Sequence, residues 1–281
     1  TNEGWGDFSV KVSGEWDGYG ADFTADGKPI HLPESVVPEA FREWDVKVFD
    51  WQTQCPTLAQ SSANSPSLMY KTIKLLPTVG CEADAATRYS TLERNVTEGH
   101  DLPFAYHSNG SYVALWPSTV TNNLIELEHC LMKPGDKESR VRLIQAIDVQ
   151  QSELKLLRVT VFIEQWYGPF RNGDQLGGCA IRDSAFAASE PLKLSQVSDV
   201  WQALSCAAPF DASHRMIQHL SKETVYQLKR NKGDFVLLPK QLWCWTTKAE
   251  NGDTCFEVGW LVDEGKAITS KCAFSGSAEL K

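Results

Sequence analysis

Lys155-Leu156-Leu157-Arg158-Val159-Thr160-Val161-Phe162-Ile163-Glu164-Gln165-Trp166-Tyr167 alternates with a period of two along its whole length. Leu157, Val159, Val161, Ile163 and Tyr167 fall on one face, broken only by Gln165. Leu156, Arg158, Thr160, Phe162, Glu164 and Trp166 fall on the other, the pattern of a strand whose two sides meet different surroundings. A face mixing arginine, glutamate and aromatic rings either lines a polar-tipped cavity or is wetted, and periodicity alone does not choose. Outward from this stretch, residues 14–23, 44–54, 67–76, 86–93, 104–107, 112–116, 124–132 and 140–149 read as further strands. Asp26-Gly27, Asn109-Gly110 and Pro134-Gly135-Asp136 separate some of them as turns. In residues 124–132, Ile125, Leu127, His129 and Leu131 share one face and Glu126, Glu128 and Cys130 the other. So many short antiparallel strands with short connections predict an all-β fold, an up-and-down barrel that leaves no exposed sheet edge.

After residue 168 the texture changes to Gly, Asp, Ser and Ala, with Asn172-Gly173-Asp174 and Gly177-Gly178 marking a connection over 169–190. Residues 192–204 carry helical spacing through Leu194, Val197, Val200 or Trp201, and Leu204. Strand patterns resume at 214–220, 224–229, 234–238, 242–247, 255–262 and 267–274. The expected division is an N-terminal barrel over 1–168, a connecting segment over 169–190 and a smaller, incomplete β unit over 191–281.

Composition narrows the function classes. The 281 residues are 42% hydrophobic and 22% charged, which suits a globular core and excludes wholesale disorder. A net charge of −9 with scattered Lys and Arg argues against nucleic acid and against a polybasic lipid contact. No run of 18 apolar residues is present, so no transmembrane helix is expected. Eight cysteines occur without a Cys-x-x-Cys pair; buried, reduced thiols are the expectation, with neither a zinc cluster nor a disulfide framework. The Gly-x-Ser-x-Gly elbow, the P-loop and the dinucleotide fingerprint are all missing.

Gly14-Glu15-Trp16-Asp17-Gly18 resembles the Gly-x-Trp strand of the calycin superfamily, which contains lipocalins, fatty-acid-binding proteins and nitrobindins. His107-Ser108-Asn109-Gly110-Ser111-Tyr112, Arg140-Val141-Arg142-Leu143-Ile144-Gln145, Ile163-Glu164-Gln165 and Phe256-Glu257-Val258-Gly259-Trp260-Leu261-Val262 follow in order. Together they resemble the two-domain lipocalin-like proteins of unknown function from cyanobacteria and plant chloroplasts, distant relatives of the phycobilin lyases. The resemblance implies a calycin barrel in each half and a chloroplast location, stromal or thylakoid-associated, after removal of a targeting peptide. Val197-Ser198-Asp199-Val200-Trp201 departs from the pattern by keeping the Trp and replacing the Gly, so the second barrel is expected to be incomplete.

Three chemistries fit these residues. The first is a ligand cavity for a hydrophobic small molecule or tetrapyrrole, with Trp16, Arg142, Arg158, Phe162, Glu164 and Trp166 as the candidate binding residues. The competing reading is that the ten Trp and twelve Phe residues fill the core themselves. The second is haem ligation through His107 or His129, disfavoured because no histidine follows His219. The third is bilin-lyase-like or isomerase chemistry on a buried pigment or polyene, with Arg142, Arg158, Glu164 and Glu257 as candidates. The leading expectation is a non-catalytic plastid protein, with no catalytic or metal residues assigned. It binds a hydrophobic or tetrapyrrole-like ligand, or serves as an auxiliary or assembly subunit of a thylakoid photosynthetic complex.

Overall fold

The computed structural model describes residues 3–62, 65–79, 86–99, 101–118, 121–136, 138–151, 153–176, 185–210, 216–231 and 233–281. Gly177-Gly178, Cys81, Cys179 and His214 lie outside the described residues. Sixteen strands fall in chain order among them. The first nine are β1 (Gly14–Thr24), β2 (Trp51–Ser62), β3 (Ser65–Leu75), β4 (Arg88–Thr97), β5 (Phe104–Tyr106), β6 (Tyr112–Pro117), β7 (Leu124–Met132), β8 (Ser139–Gln150) and β9 (Glu153–Gly168). β10 (Val200–Cys206), β11 (Ile217–His219), β12 (Glu223–Lys229), β13 (Asp234–Leu238), β14 (Leu242–Lys248), β15 (Thr254–Asp263) and β16 (Lys266–Phe274) follow.

The fold is all-β, and its main body is a curled half-barrel sheet in the order β11-β5-β6-β7-β8-β9-β1-β2-β3-β4. This is a nine-strand up-and-down meander joined to itself through the β1–β9 pairing and left open between β4 and β5. β11, from the C-terminal half, adds to the free edge of β5 as a parallel strand, Ile217 opposite Phe104. Close approach of β1 and β9 demands glycine at two positions. A Cβ on Gly18 would stand 1.7 Å from the Ile163 carbonyl oxygen, and one on Gly20 would stand 2.6 Å from the Phe162 ring.

Period-two alternation sends the two faces of the curled sheet to different cores. Its inner face carries Trp16, Cys55, Leu68, Tyr70, Val96, Phe104, Tyr106, Tyr112 and Cys130, closed by the helix α1 (Trp5–Val12) through Trp5, Phe8 and Val12. Its outer face carries Tyr19, Ala21, Phe23, Leu131, Val141, Leu143, Val159 and Val161. These pack on Val236, Leu238, Leu242, Cys244 and Val258 of a four-stranded sheet, β13-β14-β15-β16. β10 and β12 form a separate two-stranded ribbon.

Two elements differ from expectation. Residues 192–204 are not a helix: a single 3-10 turn at Leu194–Gln196 leads directly into strand β10. The apolar spacing there is compatible with both periods, and pairing with distant β12 decides it. Trp44, expected to open a strand, instead ends the short helix α2 (Glu39–Glu43) and is 64% exposed, with β2 starting at Trp51. The six cysteines among the described residues are unpaired, and four of them are buried. No helix there is long and apolar enough to cross a membrane.

Candidate functional site: a buried ionic lattice and an intersheet groove

Strand parity carries Arg140 and Arg142 of β8, and Phe162 and Glu164 of β9, to the inside of the curl, with Arg140 opposite Glu164 and Arg142 opposite Phe162. Glu164 accepts from both guanidinium groups, Arg140 Nε to Oε2 and Arg142 Nε to Oε1, each at 2.6 Å. Arg140 Nη2 donates to Thr57 Oγ1 at 3.1 Å and Arg142 Nη2 to Thr72 Oγ1 at 3.0 Å. Arg140 lies 4.2 Å over the Trp16 ring and Arg142 lies 4.6 Å over the Phe162 ring, so each cation is faced by a π-surface.

A second carboxylate continues the lattice. Glu128 accepts the hydroxyls of Tyr70 (2.7 Å) and Tyr112 (2.5 Å) and Arg94 Nη1 (2.9 Å), while Arg142 Nη1 stands 3.7 Å away. Arg94 also pairs with Glu126 and covers the Trp116 ring at 4.9 Å, so it ties β4 to β6 and β7, strands with which β4 does not pair. Burial opposes the charge of Glu128, but Arg142, Arg94 and the two tyrosyl hydroxyls outweigh it and hold its pKa below the ordinary value. The same burial, reinforced by the Glu128 charge, drives Tyr70 and Tyr112 well above theirs, so both are donors at neutral pH.

Of the sequence-derived residues, Trp16, Arg142, Phe162 and Glu164 meet inside the curl, each buried to 2% exposure or less. Arg158 and Trp166 do not join them. Arg158 is half-exposed, 3.9 Å from Asp22, and Trp166 is partly exposed, its indole donating to the Ser13 carbonyl at 3.2 Å. Arg94, Arg140, Glu128, Tyr70 and Tyr112 were not singled out from sequence as binding residues. Arg140 was nonetheless legible as the partner of Arg142 two residues on, in an otherwise apolar strand. Both candidate haem histidines are otherwise engaged. His107 Nδ1 accepts the Asn109 N–H, and His129 contacts Ser270 Oγ and Gln145 Oε1.

A smaller ionic centre recurs in the C-terminal half. Glu257 accepts from Arg230 Nε (2.5 Å) and Trp243 Nε1 (3.2 Å), with Lys271 Nζ 3.2 Å from its other oxygen. The Trp201 indole donates to the Val197 carbonyl at 3.1 Å, as the Trp16 indole does to the Val12 carbonyl at 2.9 Å. The tryptophan kept in the second half thus repeats the local anchoring of the first.

A groove of about 1100 Å³ runs between the β8–β9 hairpin end and the β13–β14 pair. Leu154, Leu156, Val236, Phe235 and Trp245 supply apolar lining; Phe235 and Trp245 stack at 5.7 Å and 19°. Asp26, Asp148, Glu153 and Asp234 stand against Lys155 and Lys248, with Lys248 pairing to Glu153 at 3.0 Å. Among the described residues no cluster of three or more His, Cys, Asp or Glu is arranged to hold a metal ion.

These features define a class, an all-β protein built on a curled half-barrel backed by a second sheet. One solved structure similar to it is a DUF3598-family protein of unknown function from the cyanobacterium Nostoc punctiforme. That structure matches 100% of this chain and 96% of its own, with a TM-score of 0.53 and 13% identity, a likeness of fold alone. No family model and no curated protein matches the chain.

Proposed function

We propose that this is a non-catalytic, lipocalin-like binding protein whose ligand occupies the intersheet groove and is hydrophobic and uncharged. The observation that carries the reading is the groove itself, within reach of a drug-sized or pigment-sized molecule and walled by the Phe235–Trp245 ring pair. The inner face of the curl, by contrast, is lined by its own rings and by an arginine–glutamate lattice, a charged centre unsuited to an uncharged ligand. Four carboxylates against two ammonium groups in the groove lining repel the acidic side chains of a tetrapyrrole and favour a polyene or isoprenoid. A plastid setting belongs to the same reading, supported by the sequence resemblance. A fluorescent fusion of the full-length precursor tests that part.

Nile red, a neutral probe, and biliverdin, a dicarboxylate, separate the alternatives. Nile red gives saturable, blue-shifted emission at unit stoichiometry, and Trp245→Ala weakens it about fivefold, since a stacked ring is worth ~1 kcal/mol beyond its area. Saturable biliverdin binding with no Nile red binding, or Nile red binding indifferent to Trp245→Ala, overturns the reading.

A further inference from the structure

We propose that the interior of the half-barrel contains a site for one small monovalent anion, of halide or formate size, held by Arg140 and Arg142. The site is independent of the groove. Each guanidinium spends its Nε on Glu164 and its Nη2 on a threonine, which leaves Nη1. Nη1 of Arg140 and Nη1 of Arg142 are both buried and hydrogen-bond to nothing, on side chains exposed by 1% and 0%. The carboxylate near Arg142 does not satisfy it: Glu128 Oε2, at 3.7 Å, already takes two tyrosyl hydroxyls.

A third open group belongs to the same inner surface. Thr53 Oγ1 is buried without a partner, and Thr53 faces Gly18, which faces Glu164. Gly18 carries no side chain, so β1 contributes none at the register position between Thr53 and Glu164. Both guanidinium groups converge on the one Glu164 carboxylate, which brings them to a common centre. Buried donors on charged groups are costly to leave unmade, and native interiors rarely keep several together. The two Nη1 groups only donate and the Thr53 hydroxyl is free to turn its proton the same way, so the complementary occupant is an acceptor able to take several hydrogen bonds at once. Glu164 and Glu128 nearby limit it to a single negative charge, and the ring-filled core around it limits its size.

The test uses bromide on the intact chain. Crystals soaked in sodium bromide are measured at the bromine edge, and thermal unfolding is followed as bromide replaces gluconate at fixed ionic strength. The expected result is an anomalous peak within hydrogen-bonding distance of Nη1 of Arg140 or Arg142, with a saturable rise in Tm. In Thr53→Val, a shape-conserving change that keeps the fold, half-saturation moves up about fivefold, the share of one neutral hydrogen bond. Water-like density without anomalous signal and a bromide-insensitive Tm overturn the proposal. So does an adventitious ion only, with peaks confined to surface lysines or a Thr53→Val response identical to the parent.

Discussion

Glu164 neutralises two buried cations from one carboxylate, so its loss is felt at both. Glu164→Gln keeps the shape and removes the charge, leaving Arg140 and Arg142 without their shared counter-ion in a dry interior. The expected cost is about 3–5 kcal/mol, the range for breaking a buried ion pair by removing one partner. A shift of the urea midpoint with unchanged slope measures it; an unshifted midpoint would mean that water reaches the lattice. Asp50 presents the opposite case. Burial raises its carboxyl to about 7, although the backbone N–H groups of Ala187 and Phe186 pull it down, and Ala187 N donates to it at 3.2 Å. A raised carboxyl pKa contributes stability that is complete below pH ~4 and is lost as pH climbs through 7. Asp50→Asn retains the acceptor for Ala187 and removes the ionisation. It is expected to exceed the parent in stability by about 2–4 kcal/mol at pH 8 and to equal it at pH 4. Equal urea midpoints at pH 8 would show that the ionised carboxylate is hydrated.

At the scale of elements, strands were readable because alternation survives wherever one face is buried. The stretch around Phe162 and Glu164 shows this: its mixed face is legible, while the curl of the sheet decides that Phe162 and Glu164 go inward and Arg158 and Trp166 stay exposed. The pairing of Arg140 with Glu164 spans 24 residues, and that of Arg94 with Glu128 spans 34, so no local pattern reveals either. Helix α1 left a signal, Trp5, Phe8 and Val12 on one helical stripe, but eight residues opening on glycine make a weak helix without a tertiary partner. Its stability comes from packing: Phe8 is fully buried among Trp5, Phe104, Tyr106 and Tyr112, and the Trp5 indole donates to the Gln60 carbonyl at 2.9 Å. Phe8→Ala should therefore cost about 3–5 kcal/mol, as core aromatic truncations do. Lys11→Ala on the same helix should be nearly neutral. Calorimetry of the two variants separates a plug that is part of the core from one that is merely laid against it, for which both would unfold with the parent.

For the whole molecule, the decisive contact is between the two sheets, and a histidine sits in it. His129 is fully buried on the outer face of β7, its Nδ1 2.8 Å from Ser270 Oγ on β16 and its Nε2 3.1 Å from Gln145 Oε1 on β8. Gln145 Oε1 can only accept, so Nε2 carries the proton and Nδ1 accepts from the serine hydroxyl. Burial lowers its pKa to about 4, against the weaker upward pulls of Gln145 and Glu128. A histidine held below its unfolded value contributes stability that is present above pH 6.5 and lost as pH falls toward 4, about 3 kcal/mol over that window. Total stability is a poor readout, because Asp50 and Asp17, raised to about 7 and 6, gain stability over the same descent. The difference between parent and His129→Gln isolates the histidine, since the carboxyls are common to both. That difference in unfolding free energy should shrink by about 3 kcal/mol between pH 7.5 and 4, as the parent alone must protonate an imidazole between its sheets. A difference that stays constant with pH would mean that the imidazole finds a counter-charge or water there, and that the sheets part around it more easily than their packing implies.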